Sequence, residues 1–188
     1  MELGTWGALA AVVLLLLWAA WTFNGLIRRR NGVDESWATI DVELKRRHDL
    51  VPSLVDVVRG YAGFEESVLT RVTESRAQAV GGPPDATSET ALSDAIRSLF
   101  AVAEAYPDLK AAPRFQSLQE ELAVTEDRIA YARAVYNAWV TDYETARQSV
   151  PSSIVAGLFR FSARRFFEAE VGARSPVGVA LRRDAPDA

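Results

Sequence analysis

Hydrophobic positions along the chain fall into two regimes. Residues 3–27 form a stretch of 25 residues without one charged side chain. Beyond residue 30 the apolar positions recur in alternating steps of four and three, which is one face of a long helix. Positions 33, 37, 40, 44, 47, 51, 54, 58, 61, 65, 68 and 72 hold Val, Trp, Ile, Leu, Arg, Val, Leu, Val, Tyr, Glu, Val and Val, so ten of the twelve are apolar or aromatic. Unbroken from 33 to 80, such a helix would be roughly 70 Å long. Pro52 lies inside this run. A proline lacks the backbone donor and clashes one turn back, so the pattern predicts a kink near Leu50 or a break into two helices.

A second stripe runs through 115, 118, 122, 125, 129, 132, 136, 139, 143 and 146, with Phe, Leu, Leu, Thr, Ile, Ala, Tyr, Trp, Tyr and Ala. Pro113 suits the first position of that helix and Pro151 closes it. Between the stripes, Gly81-Gly82-Pro83-Pro84-Asp85 is a loop signal. A shorter helix follows over 89–106, with Leu92, Ile96, Leu99 and Ala103 on one face and Pro107 at its end. A fourth short helix fits 152–161. No strand alternation stands out. Short connections make neighbouring helices antiparallel. The expected fold is therefore all-α: an N-terminal transmembrane helix followed by an elongated antiparallel up-and-down four-helix bundle. Residues 1–30 are the anchor, 31–171 the bundle and 172–188 a loose tail.

The apolar stretch spans roughly 37 Å as a helix, enough for a hydrocarbon core of about 30 Å. Trp6 lies near one end, and Trp18, Trp21 and Phe23 near the other, where interfacial aromatics prefer to sit. Arg28-Arg29-Arg30 follows at once, against only Glu2 and the amino group on the other flank. The positive-inside rule then puts the N-terminus outside and the bundle in the cytoplasm of a single-pass protein. The acidic start and the long apolar run argue against a cleaved signal peptide.

Composition narrows the chemistry. The chain has no Cys and one His, which excludes disulfides, thiolate metal sites and a zinc site built on several imidazoles. Net charge is −4; removing the three Arg and one Glu of residues 1–30 leaves 18 basic against 24 acidic residues, so a general nucleic-acid binder is not expected. A di-iron bundle needs two Glu-x-x-His motifs, which one His cannot supply within a chain. Gly81-Gly82-Pro83-Pro84 lacks the Lys-Ser/Thr of a phosphate loop. No cofactor, metal or catalytic set is expected.

Two basic clusters remain as candidate interaction patches. Lys45, Arg46, Arg47, His48 and Asp49 form one. They read either as a pH-sensitive, anion-binding or lipid-facing patch, or as a solvated helix face laced by pairs such as Glu43–Arg47. Arg164, Arg165, Phe166 and Phe167 form the other. They read either as a membrane-surface seat or as aromatic cover for the apolar end of the bundle.

Long motifs carry a family resemblance. VDESWATIDVELKRRHDLVPSLV at 33–55, AVAEAYPDLK at 101–110 with Phe115, Leu118, Gln119, Glu121 and Leu122 after it, EDRIAYAR at 126–133 with Tyr136 and Asn137, then Pro151 and FEAE at 167–170 resemble the LemA family of bacterial membrane proteins. The likeness covers most of residues 24–171. It implies a single N-terminal membrane helix, an antiparallel helical bundle and a bacterial cytoplasmic membrane, with no catalytic residues to carry over. Ala112-Pro113-Arg114 stands where relatives often carry an Asn- or Lys-rich stretch.

The expected function is a membrane-anchored helical interaction or scaffold protein without catalysis. Its partners would be membrane lipid through residues 3–27 and one or more proteins, a second copy of the chain among them. Two alternatives stand beside it. One is an adaptor or stress-sensing partner of a membrane protease or similar machine. The other is an enzyme with a carboxylate site formed between chains, drawing on residues such as Glu104, Asp108, Glu120 and Glu121.

Overall fold

One helix carries both regimes of the sequence. In the computed structural model, which describes residues 2–61 and 63–167, α1 runs unbroken over Glu2–Arg59. At 1.5 Å per residue its 58 residues extend about 87 Å. The expected boundary between anchor and bundle at residue 30 falls inside this helix. Residues 5–17, together with Ala20 and Trp21, are exposed apolar surface, and continuous cover begins at Thr22. From Glu2 to Trp21 the helix is about 30 Å long, the thickness of a hydrocarbon core. Among the described residues this is the one helix long and apolar enough to cross a membrane. The remaining helices are α2 (Glu66–Val80), α3 (Ala86–Ala103), the single turn α4 (Pro107–Lys110), α5 (Pro113–Gln148) and α6 (Ser152–Leu158). The expected all-α class is what is observed, and no strand occurs among the described residues.

Pro52 does not break α1, contrary to one of the two outcomes expected for it. The carbonyl that a proline at 52 leaves without its helical donor is that of His48. Arg76 of α2 fills the place, its Nε donating to the His48 carbonyl at 2.7 Å. The chain turns later, at Gly60–Glu65, where Gly63 adopts φ +88°, a conformation that suits glycine. Tyr106 donates its hydroxyl to the Gly63 carbonyl at 2.6 Å and pins this turn.

α5 lies antiparallel along α1. Arg29 meets Asp142, Gly32 meets Trp139 and Glu43 meets Arg128, so each step along α1 is matched by an equal step back along α5. Far from the apolar end, α2 and α3 complete a four-helix cross-section, with a core that includes Leu54, Val58, Leu69, Leu92, Leu99 and Leu118. Toward the apolar end only α1 and α5 continue, around Leu26, Ile40, Leu44, Ile129 and Val140. There α6 and residues 159–167 supply the cover that α2 and α3 give elsewhere. The predicted stripe on α1 holds: Val33, Ile40, Leu44, Val51, Leu54 and Val58 are all buried. On α5 the stripe shifts past Tyr136. Val140 is fully buried, while Trp139, the expected core position, is 37% exposed. Two successive steps of four, 132–136–140, keep a 3.6-residue helix on its partner where a strict heptad would drift off.

Two element ends differ from expectation. The third helix spans 86–103 rather than 89–106, because Asp85 accepts the Ser88 N–H at 3.1 Å and starts it a turn early. α6 stops at Leu158, ahead of Arg160 at φ +54°. The loose tail expected for 172–188 lies outside the described residues.

Candidate functional site

A charged cluster lies buried midway along the rod. Arg47 occupies a core position of the α1 stripe and is 1% exposed. It forms an ion pair with Glu89 of α3 and another with Glu126 of α5, the latter at 2.7 Å, and donates to the Ser93 hydroxyl at 2.5 Å. His48 Nε2 lies 3.1 Å from Glu89 Oε1. With Arg76 on the His48 carbonyl, this cluster ties all four helices of the cross-section together. Burial by itself would push the Glu89 carboxyl up, but the His48 hydrogen bond and the Arg47 charge outweigh it and hold the group below the usual glutamate range.

The solvated-face reading of Lys45–Asp49 therefore fails at its centre. Lys45, Arg46 and Asp49 face outward, but Arg47 points into the core and its acidic partners are Glu89 and Glu126, not Glu43. A guanidinium at a stripe position is followed by the helix into the interior, where it requires acids. Glu89, Ser93 and Glu126 were not singled out beforehand. Glu89 carried one signal: it sits three residues before Leu92, on the apolar face of α3.

The second patch divides as well. Phe167 is buried, with its ring 5.7 Å from Trp37 and the Arg133 guanidinium 4.8 Å above it, as expected of apolar cover. Phe166 and Arg165 are exposed, and Arg164 pairs with Asp34 at 2.7 Å. Side chains of α5 hold this non-helical segment in place. Tyr143 donates to the Ser162 carbonyl and Tyr136 to the Arg165 carbonyl, each at 2.8 Å. Burial pushes both phenols up, which keeps them as donors. Asn137 forms paired hydrogen bonds with the Phe167 backbone, and Glu144 accepts the Arg164 N–H at 2.7 Å. The Glu144 carboxyl is held low against its own burial by Arg147, that N–H and Gln148.

At the apolar end, α1, α5 and α6 enclose a cavity of about 560 Å³. Trp18, Trp21, Leu26 and Trp139 line it on the apolar side; Arg28 and Arg29 stand at its polar side. Phe23 packs on Phe159 and Phe161, with ring centroids 4.7 and 5.6 Å apart, and so fastens the segment after α6 to α1.

The four carboxylates considered for catalysis do not meet. Glu104 pairs with Lys110, Asp108 and Glu120 are exposed, and Glu121 lies half-buried within hydrogen-bond reach of Ser117. Among the described residues no group of three or more His, Cys, Asp or Glu is placed to hold a metal ion.

Comparison with known proteins adds the ancestry. The sequence model of the LemA family matches residues 36–180. Protein LemA of Metamycoplasma hominis is 29% identical over 126 residues, covering 65% of this chain and 58% of that protein. Magnetosome protein MamQ of Magnetospirillum gryphiswaldense is 22% identical over 184 aligned residues, 82% of this chain and 68% of that protein. Magnetosome protein MamQ 1 of Paramagnetospirillum magneticum is 21% identical, with 89% and 72% covered. This chain thus spans little more than half the length of the Metamycoplasma protein.

Proposed function

The chain belongs to the LemA family and is a membrane-associated helical protein; on that premise we propose that it is a single-pass scaffold of the bacterial cell membrane, holding a helical rod in the cytoplasm for protein partners. The observation that carries this reading is the continuity of α1. The uncovered apolar third and the covered remainder belong to one helix, so the rod cannot swing freely on a linker. It stays in line with its apolar segment, which suits a spacer or assembly platform. From residue 22 to 59 the helix would project about 57 Å. Arg28, Arg29 and Arg30 support the cytoplasmic side. The Arg47 cluster reads as a structural joint, because the buried Arg47 guanidinium is paired with acids of two neighbouring helices.

The test is protease accessibility of the full chain. Carbonate washing is expected to leave it in the membrane pellet. Protease is expected to remove the bundle in inverted vesicles and to spare it in intact spheroplasts. Release into the carbonate supernatant, or cleavage of the bundle in spheroplasts, would overturn the reading.

A further inference from the structure

The cavity between α1, α5 and α6 sits at a definite height. Its wall on α1 runs from Trp18 to Arg29, about 16 Å along the helix. That interval begins inside the uncovered apolar segment and ends in the arginine triplet, so it spans the zone where acyl chains give way to headgroups. On α1 the lining follows the same gradient: Trp18, Trp21 and Leu26 precede Arg28 and Arg29 along the helix. Trp139, opposite Gly32, lines the cavity beyond the arginines. Asp142 neutralises Arg29 at 2.9 Å, whereas Arg28 is exposed and forms no ion pair with a described residue. One net positive charge is thus left over at the mouth.

The neighbouring surface is built for the same environment. Val150, Ile154, Leu158 and Phe159 are all more than half exposed, an unusual density of bare apolar side chains around a seven-residue helix. They continue the uncovered surface of α1, to which Phe159 is joined through Phe23. A cavity opening onto water with this lining would be costly to hydrate. One opening at the edge of a bilayer has lipid at hand.

We propose that this cavity is a binding site for one anionic phospholipid, its headgroup at Arg28 and the upper part of an acyl chain beside Trp18 and Trp21. The volume falls in the range of small-molecule pockets. The rest of the lipid stays in the bilayer alongside α1. Bound lipid fills the junction where α6 meets the anchor, and so stiffens the base of the rod. The site rests on the membrane-anchored reading of the chain.

The test uses the full chain purified in a neutral detergent, with bound molecules counted by native mass spectrometry. The probes are dihexanoyl phosphatidylglycerol, dihexanoyl phosphatidylcholine and inorganic phosphate. One phosphatidylglycerol per chain is expected, held about fivefold more tightly than phosphatidylcholine, with no retention of phosphate. Arg28→Gln is expected to erase the preference. Ala146→Trp, which fills the cavity from α5, is expected to abolish retention of both lipids. Equal retention of the two lipids by the unaltered chain, phosphate bound as well as phosphatidylglycerol, or an undiminished preference in Arg28→Gln would overturn the proposal. Arg28 is exposed, so its variant decides alone if Ala146→Trp loses helical signal. A chain that pellets after carbonate washing yet keeps no lipid refutes this site and leaves the scaffold reading standing.

Discussion

Replacing Arg47 with methionine removes a guanidinium from the middle of the rod while keeping much of its volume. The side chains of Arg47 and Glu89 are 2% and 3% exposed, so this ion pair counts as buried. Breaking one partner of such a pair leaves an uncompensated charge and costs about 3–5 kcal/mol. Glu126 adds little to that figure: its side chain is 39% exposed and can turn to water, where an ion pair is worth at most about 1 kcal/mol. A loss of about 3–5 kcal/mol lowers the melting temperature by roughly 6–20 °C for a chain of this size. The double substitution R47M/E89L removes both charges, and such exchanges are often neutral or stabilising. It is expected to recover most of the loss. The assay is urea and thermal unfolding of the full chain in neutral detergent, followed by helical circular dichroism. If R47M costs less than about 1 kcal/mol, the guanidinium is hydrated and the argument from burial is wrong. If R47M/E89L is no better than R47M, the damage is to packing and not to charge.

Three further substitutions probe the contacts that hold the helices together. The Glu89 carboxyl is held below its ordinary value, so its stabilising contribution is present above pH of about 4.3 and is lost as pH falls through its folded value; unfolding curves between pH 7 and 3 are expected to be flatter for Glu89→Gln. At Gly32 an added Cβ would stand 2.7 Å from the Trp139 ring, so Gly32→Ala is expected to lose about 1–2 kcal/mol despite its better helix propensity, and G32A/W139L to regain it; a stabilised G32A would show that the ring swings aside freely. Removing the donor to the His48 carbonyl with Arg76→Met is expected to cost about 1–3 kcal/mol, and less in a Pro52→Ala background, where residue 52 supplies its own N–H; additive losses in that double-mutant cycle would detach Arg76 from the proline.

The pattern of apolar residues carried most of the fold. On α1 the stripe marked most buried positions, Val33, Ile40, Leu44, Val51, Leu54 and Val58 among them, although Trp37 is only half-buried. The α5 stripe failed at Trp139 because the repeat is a property of two helices together: α5 stays on α1 by inserting an extra step of four, and Gly32 leaves room for the displaced ring. Pro52 misled for a related reason. The local rule is sound, but the unpaired carbonyl it creates is answered from Arg76, 28 residues along the chain. The basic run at 45–49 was read as one unit because its residues are adjacent in sequence. A helix sends adjacent residues to different sides, so Arg47 went inward while Lys45, Arg46 and Asp49 went outward. The segment 159–167 was the least legible part. It has no periodicity, and what fixes it is a row of polar groups on α5, from Tyr136 to Glu144, whose use shows only in the assembled structure.

The Arg47 cluster also explains how an apolar rod keeps one register. Two apolar cores lie along α1, one running from Val51 to the far end of the rod and the other from Leu44 toward the apolar end of α1. Between them come the buried polar residues Arg47, Glu89 and Thr125. Stripes of Leu, Ile and Val tolerate a slip of α5 along α1 by a heptad, since one aliphatic side chain replaces another at modest cost. A slip would pull Glu126 away from a guanidinium that is itself buried. Buried polar groups of this kind fix register in coiled coils even where they add little stability. Placed at mid-height and shared among all four helices, the cluster sets how far the outer four-helix section stands from the two-helix base. On the membrane-anchored reading proposed above, the same register sets how far the four-helix section stands from the apolar end of α1.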